Sequence, residues 1–236
     1  VYGEGKYTCE EHGIQYPGMR SPEQLKNNQW ELICHCGKQL KHAQTDEKKP
    51  VSPEFPYSIS KYDQERLVMT FGASHDIPTT AIRFFLTYGP RQSLTNPYTG
   101  IVSMFSSLLF NNMQPVLYED GNQTRDFIFV DDIVQANLIV MENPKTDFQV
   151  FNVGTGTPTS VMEVAQKLAE IYGKDIQPSI PGNFRPGDVR HVYANIDKAK
   201  SFGFNPTVKL NEGLERYKDW IETKGDVKDY FTPVME

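Results

Sequence analysis

Apolar and polar residues alternate with a helical period most clearly over residues 160–172, a clear amphipathic helix ending at Tyr172. Ser160 is suited to cap the helix. Further helices are predicted over 57–71, closed by Gly72, over 101–111 and 131–142, near 196–202 and over 211–223. Asp131 and Asp132 fall at the electropositive start of the helix at 131–142. Between the helices lie short apolar runs of strand length: 79–86, which suits a buried parallel strand, then 115–118, 126–130 and 148–153. Turn residues separate them at Tyr88-Gly89-Pro90-Arg91, Glu119-Asp120-Gly121 and Gly154-Thr155-Gly156. Strands alternating with helices predict an α/β fold with a largely parallel sheet. Residues 1–5 read as the end of a strand and its turn, and residues 6–56, rich in Pro, Lys and Gln, as an irregular insertion.

Composition narrows the class. A chain of 236 residues can bury a substantial core as one large domain or two modest ones. No apolar run approaches the ~20 residues of a membrane span, and no basic stretch followed by an apolar one opens the chain, so a cytoplasmic protein is expected. The net charge of -6 argues against a general nucleic-acid binder, although local arginines can still hold a phosphorylated small molecule. All three cysteines lie between Cys9 and Cys36, which is unlike a secreted disulfide framework.

Two groups of residues carry candidate chemistry. Tyr57 and Lys61, at i and i+4, share a helical face. An ammonium beside a phenol favours the phenolate, the makings of a proton-transfer group; on spacing alone, an exposed amphipathic pair fits as well. Cys9-x-x-His12 and Cys34-x-Cys36-Gly37 offer four soft ligands, two from each end of the insertion. A structural zinc site and three free thiols with a solvent histidine are both open readings. Cys-x-Cys chelates less comfortably than Cys-x-x-Cys, and His35 could replace one thiolate.

Val-Tyr-Gly-Glu-Gly at 1–5, Tyr57-x-x-x-Lys61, Tyr88-Gly89-Pro90-Arg91, Asn96-Pro97-Tyr98, Arg125-Asp126-Phe127-Ile128-Phe129-Val130, Asn152-Val153-Gly154-Thr155-Gly156 and Arg185-Pro186-Gly187-Asp188 follow one another along the chain. This succession resembles the extended short-chain dehydrogenase/reductase family, specifically its NAD-dependent nucleoside-diphosphate-sugar epimerases and dehydratases. The resemblance implies the C-terminal part of a Rossmann-type doubly wound parallel sheet with a small α/β substrate-binding lobe. Residues 1–150 would be the remainder of the Rossmann-type catalytic domain, with 6–56 a zinc-type insertion and substrate-lobe segments interleaved after 87; residues 151–236 would be mainly the sugar-nucleotide-binding lobe. The strand, Gly-rich turn and helix with which relatives begin are missing ahead of Val1, so the sequence reads as a fragment. With it would go the Ser or Thr that relatives carry before Val-Tyr-Gly.

The same resemblance implies roles. Tyr57 would take a proton from a sugar hydroxyl as hydride passes to NAD, and Lys61 would hold the cofactor ribose and favour the phenolate, with Phe84 beside the nicotinamide. Arg125 and Arg185 would grip the diphosphate and Asp188 the nucleotide ribose, while Leu117 and Tyr118 would contact the base and Asn96 the substrate. Leu86 stands where many relatives have Asn, which removes a polar contact expected near the substrate phosphates. The implied activity is 4-epimerisation of a UDP- or dTDP-hexose. The alternatives are a sugar-nucleotide 4,6-dehydratase and a non-catalytic sugar-nucleotide-binding protein. The intact relatives commonly form homodimers through the helix carrying Tyr57 and Lys61; no nucleic-acid or membrane partner is implied.

Overall fold

The computed structural model describes residues 1–94, 96 and 99–224; Pro97 and Tyr98 of the Asn-Pro-Tyr signature and the tail from 225 lie outside the described residues. Regular structure begins inside the polar insertion. Strands β1 (Lys6–Cys9), β2 (Gly13–Gln15) and β3 (Lys41–Ala43) form an antiparallel sheet in the order β2-β1-β3. Tyr7 lies opposite both Gln15 and His42. Between β2 and β3 runs α1 (Pro22–Lys26), capped by the Ser21 hydroxyl, which accepts from the Gln24 N–H. Tyr7, Cys9, Leu32, Cys34 and Leu40 bury a small core of their own. The expectation of an irregular insertion is therefore corrected. Its alternation is real, with Tyr7 and Cys9 inward, but strands of three or four residues are too short to stand out from their Pro- and Lys-rich surroundings.

Residues 1–5 are also corrected, from strand end to irregular chain pinned at both ends. The Val1 carbonyl accepts from the Ser52 N–H at 3.0 Å, and the Gly5 N–H donates to the His191 carbonyl at 3.0 Å.

The body of the molecule then runs α2 (Pro56–Ser74), β4 (Thr80–Phe84), β5 (Leu86–Tyr88), α3 (Ile101–Phe110), β6 (Thr124–Arg125), β7 (Phe127–Phe129), α4 (Val130–Glu142), β8 (Gln149–Val153), β9 (Thr159–Ser160), α5 (Val161–Ile171), α6 (Asp197–Lys200) and α7 (Leu210–Glu222). Gly72 does not close α2; it lies within it. A Cβ there would fall 2.1 Å from Thr79 Oγ1, so glycine is required by the close passage of the chain entering β4. The single strand expected over 79–86 is two. β4 pairs in parallel with β8, and β5 in parallel with β7. The handover occurs at Phe85, whose N–H donates to the Val153 carbonyl, while the next N–H, of Leu86, donates to Asp126. The strand expected over 115–118 is only a bridge from Val116 to Ser179.

Phe105 and Leu109 of α3, Val164 and Leu168 of α5, and Leu214 and Tyr217 of α7 bury one another against β5 and β7, the larger of two cores. The other joins Ile128, Val153, Ile196 and Phe204. At roughly 1.5–3 kcal/mol per fully buried large apolar side chain, these cores hold the strand ends that carry the candidate site. Among the described residues no helix is long and apolar enough to cross a membrane.

Candidate functional site

The chain enters α2 through a reciprocal cap: the Phe55 N–H donates to Ser58 Oγ at 3.0 Å, and the Ser58 hydroxyl donates to the Phe55 carbonyl at 2.9 Å. Pro56 opens the helix. Tyr57 and Lys61 then project one turn apart, Tyr57 73% exposed and Lys61 Nζ 5.7 Å from its ring centroid. One turn further on, Glu65 takes two hydrogen bonds from Arg83, at 2.8 and 2.7 Å. Arg83 also donates to the Tyr2 hydroxyl at 2.7 Å, which in turn donates to Asn152 Oδ1 at 2.7 Å. This chain of bonds fastens the Tyr57 helix to β4 and β8. Phe84, next to Arg83 at the end of β4, is 48% exposed.

Tyr118, Arg125, Arg185 and Asp188 are brought together from three separate segments. The Arg185 guanidinium lies over the Tyr118 ring, 4.6 Å from its centroid, and donates to its hydroxyl at 3.2 Å. Arg125, on β6, is anchored by backbone rather than by a carboxylate: it donates to the carbonyls of Thr124, Val189 and Arg190. Arg125 thereby holds the segment that follows Asp188, and its charge faces the Asp188 carboxylate. Leu117 is 1% exposed, so its side chain belongs to the core. Asn96 is exposed, its N–H donating to Ser93 Oγ. Gly187 (φ +85°) lets the loop of Arg185 and Asp188 run against Phe55, where any Cβ would meet the ring at 1.9 Å. That loop consequently lies beside the start of the Tyr57 helix.

Behind Tyr118 and Asp188 stands a buried ionic cluster that sequence reasoning missed. Arg20 donates to both carboxylate oxygens of Glu119, at 2.8 and 2.7 Å, and to the carbonyls of Trp30 and Asp188, at 3.0 and 2.7 Å. Arg190 donates to Glu119 at 2.9 Å, to both oxygens of Asp120 at 2.7 and 2.9 Å, and to Glu31 at 2.9 and 2.6 Å. His191 bridges Thr124 Oγ1, at 2.9 Å, and Glu31, at 3.2 Å. Burial opposes ionisation of Glu31 and Asp120, but hydrogen bonds from His191 and Arg190 to the first, and from Arg190 and Asn122 to the second, hold each at about 2. Burial pushes the Glu4 carboxyl up. Arg190, two residues beyond Asp188, could have been suspected from the Arg185-Pro186-Gly187-Asp188 signature; nothing local marks Arg20.

The family model for GDP-mannose 4,6-dehydratase matches residues 36–217, well over half of the chain. The chain belongs to the nucleoside-diphosphate-sugar epimerase and dehydratase family. It is 34% identical over 230 residues to the dTDP-L-rhamnose 4-epimerase of Burkholderia thailandensis, an alignment covering 97% of this chain and 62% of the relative. Among solved structures, the UDP-glucose 4-epimerase of Thermotoga maritima with UDP-glucose superposes with a TM-score of 0.72 at 35% identity, over 79% of this chain and 59% of that one. The UDP-glucose 4-epimerase of Thermus thermophilus in complex with NAD gives 0.69 at 26% identity, over 82% and 60%. The chain thus spans about three fifths of the length of these relatives, and its parallel pairings are those of their Rossmann-type fold.

Two features of this family member qualify its motifs. The Gly154-Thr155-Gly156 turn is already filled by a carboxylate: Asp126 accepts from the N–H groups of Thr155, Gly156 and Ala194 at 2.7, 2.9 and 3.0 Å and from the Thr155 hydroxyl at 2.7 Å. Those donors are the ones a phosphate would need, so the turn ties β8 to β7 and is not a phosphate cradle.

The other feature is the cysteine cluster. Cys9 ends β1 and His12 sits in the turn to β2; the second turn, closed by the Gly37 N–H on the Cys34 carbonyl at 2.8 Å, carries Cys34 and Cys36. The four ligand atoms lie within 4.8 Å of one another. His12 Nδ1 is 3.6 Å from Cys9 Sγ and 3.5 Å from Cys34 Sγ, and the sulfurs of Cys9 and Cys36 are 3.7 Å apart. The N–H of Glu11 and the His12 ring lower the Cys9 thiol to about 6. The His35 ring packs at a tilt against that of His12, with centroids 4.0 Å apart.

Proposed function

We propose that this chain carries the substrate grip and the acid/base helix of an NAD-dependent 4-epimerase acting on a nucleoside-diphosphate hexose, a UDP- or dTDP-sugar. The observation that carries the reading is the contact of Gly187 with Phe55. It sets Arg185 and Asp188, suited to a diphosphate and a ribose, beside the helix start that presents Tyr57 and Lys61. The residues present fit the nicotinamide end of NAD, with the exposed Tyr57–Lys61 face and exposed Phe84; the Gly154–Gly156 turn, filled by Asp126, does not fit its pyrophosphate. NAD, held beside Tyr57, Lys61 and Phe84, would supply a reversible hydride acceptor for C4 of the sugar. Tyr57 takes the proton of the C4 hydroxyl and gives it back after the 4-keto sugar has presented its other face, and Lys61 favours the phenolate. Arg125 and Arg185 hold the diphosphate while the hexose turns.

The test is incubation with NAD and a UDP- or dTDP-hexose. A C4 epimer is expected, and Tyr57→Phe should abolish it while sugar-nucleotide binding persists. The match to the 4,6-dehydratase model supports a second reading, which a 4-keto-6-deoxy product in place of the epimer would establish. Sugar nucleotide bound without turnover would indicate a binding protein.

We also infer a structural zinc site at Cys9, His12, Cys34 and Cys36. With Zn–S near 2.3 Å and Zn–N near 2.0–2.1 Å, a tetrahedral site has edges of about 3.8 Å between sulfurs and about 3.5 Å between sulfur and nitrogen. The separations of 3.7 Å and 3.5–3.6 Å fit that pattern. Four protein ligands close the site, so its role would be to hold the two turns together. One zinc per chain by elemental analysis, lost in Cys36→Ser, is the expected result; a metal-free protein with three titratable thiols would refute it.

A further inference from the structure

Residues 1–35, which precede the family match, insert Arg20 between the two walls of the nucleotide grip. We propose that Arg20 is a positioning residue for the sugar-nucleotide site, an inference that rests on the function proposed above. One wall is Tyr118, followed directly by Glu119; the other is the loop of Arg185 and Asp188. A single guanidinium holds both, by the paired bonds to the Glu119 carboxylate and the 2.7 Å bond to the Asp188 carbonyl. Its side chain is 1% exposed, and its Nε lies 3.9 Å from Glu4. The planar fork of arginine can span a carboxylate and a carbonyl together, whereas an ammonium offers one point of charge.

The insertion grips the same walls a second time, because Glu31 holds Arg190, which holds Glu119 and Asp120. Trp30 packs against Phe184, the neighbour of Arg185, with ring centroids 6.3 Å apart. Arg20 makes no hydrogen bond to the side chains of Tyr118, Arg185 or Asp188, so its effect would run through the spacing of these three. A displacement of about 1 Å in such groups can cost on the order of a hundredfold.

The experiment is calorimetric titration of UDP and dTDP into the full chain and into Arg20→Ala and Glu31→Gln, with near-UV circular dichroism and thermal midpoints recorded for each. Arg20→Ala is expected to weaken the nucleoside diphosphate that binds wild type by about tenfold or more. Ethylguanidinium should restore affinity and ethylammonium, of equal charge, should not, a distinction that general loss of packing would not produce. Glu31→Gln, whose carboxylate is partly solvated, should weaken binding in the same direction and serves as the deciding variant if Arg20→Ala does not fold. Binding that survives either substitution within twofold in folded protein would overturn the positioning role alone. A wild-type chain that binds neither nucleotide would overturn the sugar-nucleotide reading and this inference with it.

Discussion

Asp126 shows how a residue of a signature can owe its place to folding. Four donors converge on its carboxylate, and it is 1% exposed. Asp126→Ala would leave several of those donors buried without a partner, each at about 1–3 kcal/mol, and should lower stability by roughly 3 kcal/mol or more, read from the denaturant midpoint. Gly154→Ala should act on the same contact from the other side, since its Cβ would lie 2.5 Å from Asp126 Oδ2. Asp132 plays a parallel part in α4: beyond its favourable place at the helix start, it accepts from the N–H groups of Thr207 and Val208 at 2.9 and 3.2 Å. Gly187→Ala combines a strained φ with a collision against Phe55. It should both weaken sugar-nucleotide binding and lower the thermal midpoint, which titration and melting curves together would reveal.

The three-stranded insertion is joined to the rest of the chain by backbone bonds from Gly5 and Thr45 and also through charge, and the charged part of its attachment is sensitive to acid. Glu31 and Asp120 titrate at about 2, below the ordinary carboxylate range near 4. A depressed carboxylate contributes stability that is fully present above its unfolded pKa and lost as pH falls through the folded one. The insertion should therefore stay docked above about pH 4 and loosen between pH 4 and 2. Emission from Trp30, followed in a Trp220→Phe background, should shift over that interval; a shift centred above pH 5 would contradict the assignment to Glu31 and Asp120. The segment was expected to be irregular because its strands are brief and its polar positions numerous. What makes it ordered is the pairing of Tyr7 with residues on both sides of the sheet and the burial of Cys9, Leu32, Cys34 and Leu40 beneath it.

Across the molecule as a whole, two helices expose large apolar side chains: α2, and α4 through Val134, Leu138 and Met141. Along α2 only Gly72 is buried, and Leu67 and Phe71 are 70% and 58% exposed. Exposed apolar side chains of this kind favour association, so the isolated chain should elute larger than its 26.9 kDa or bind a hydrophobic dye strongly. A dye-silent monomer in sizing chromatography would refute that expectation. Helix positions, the Ser160 cap and the α/β alternation were readable along the chain, because periodicity and capping act over three or four residues; the ends of α3, α5 and α7 agree with expectation to within a residue or two. The pairing of Tyr57 with Lys61 was readable for the same reason. The division of 79–86 between two partner strands was not, since it depends on which neighbours the sheet supplies on either side of Phe85. Nor was the ionic cluster, whose partners Arg20 and Glu119 lie 99 positions apart and Glu31 and Arg190 159 apart. A buried charge is tolerated only where folding delivers its counter-charge, and that meeting is set by chain topology, which leaves no periodic trace in the residues on either side.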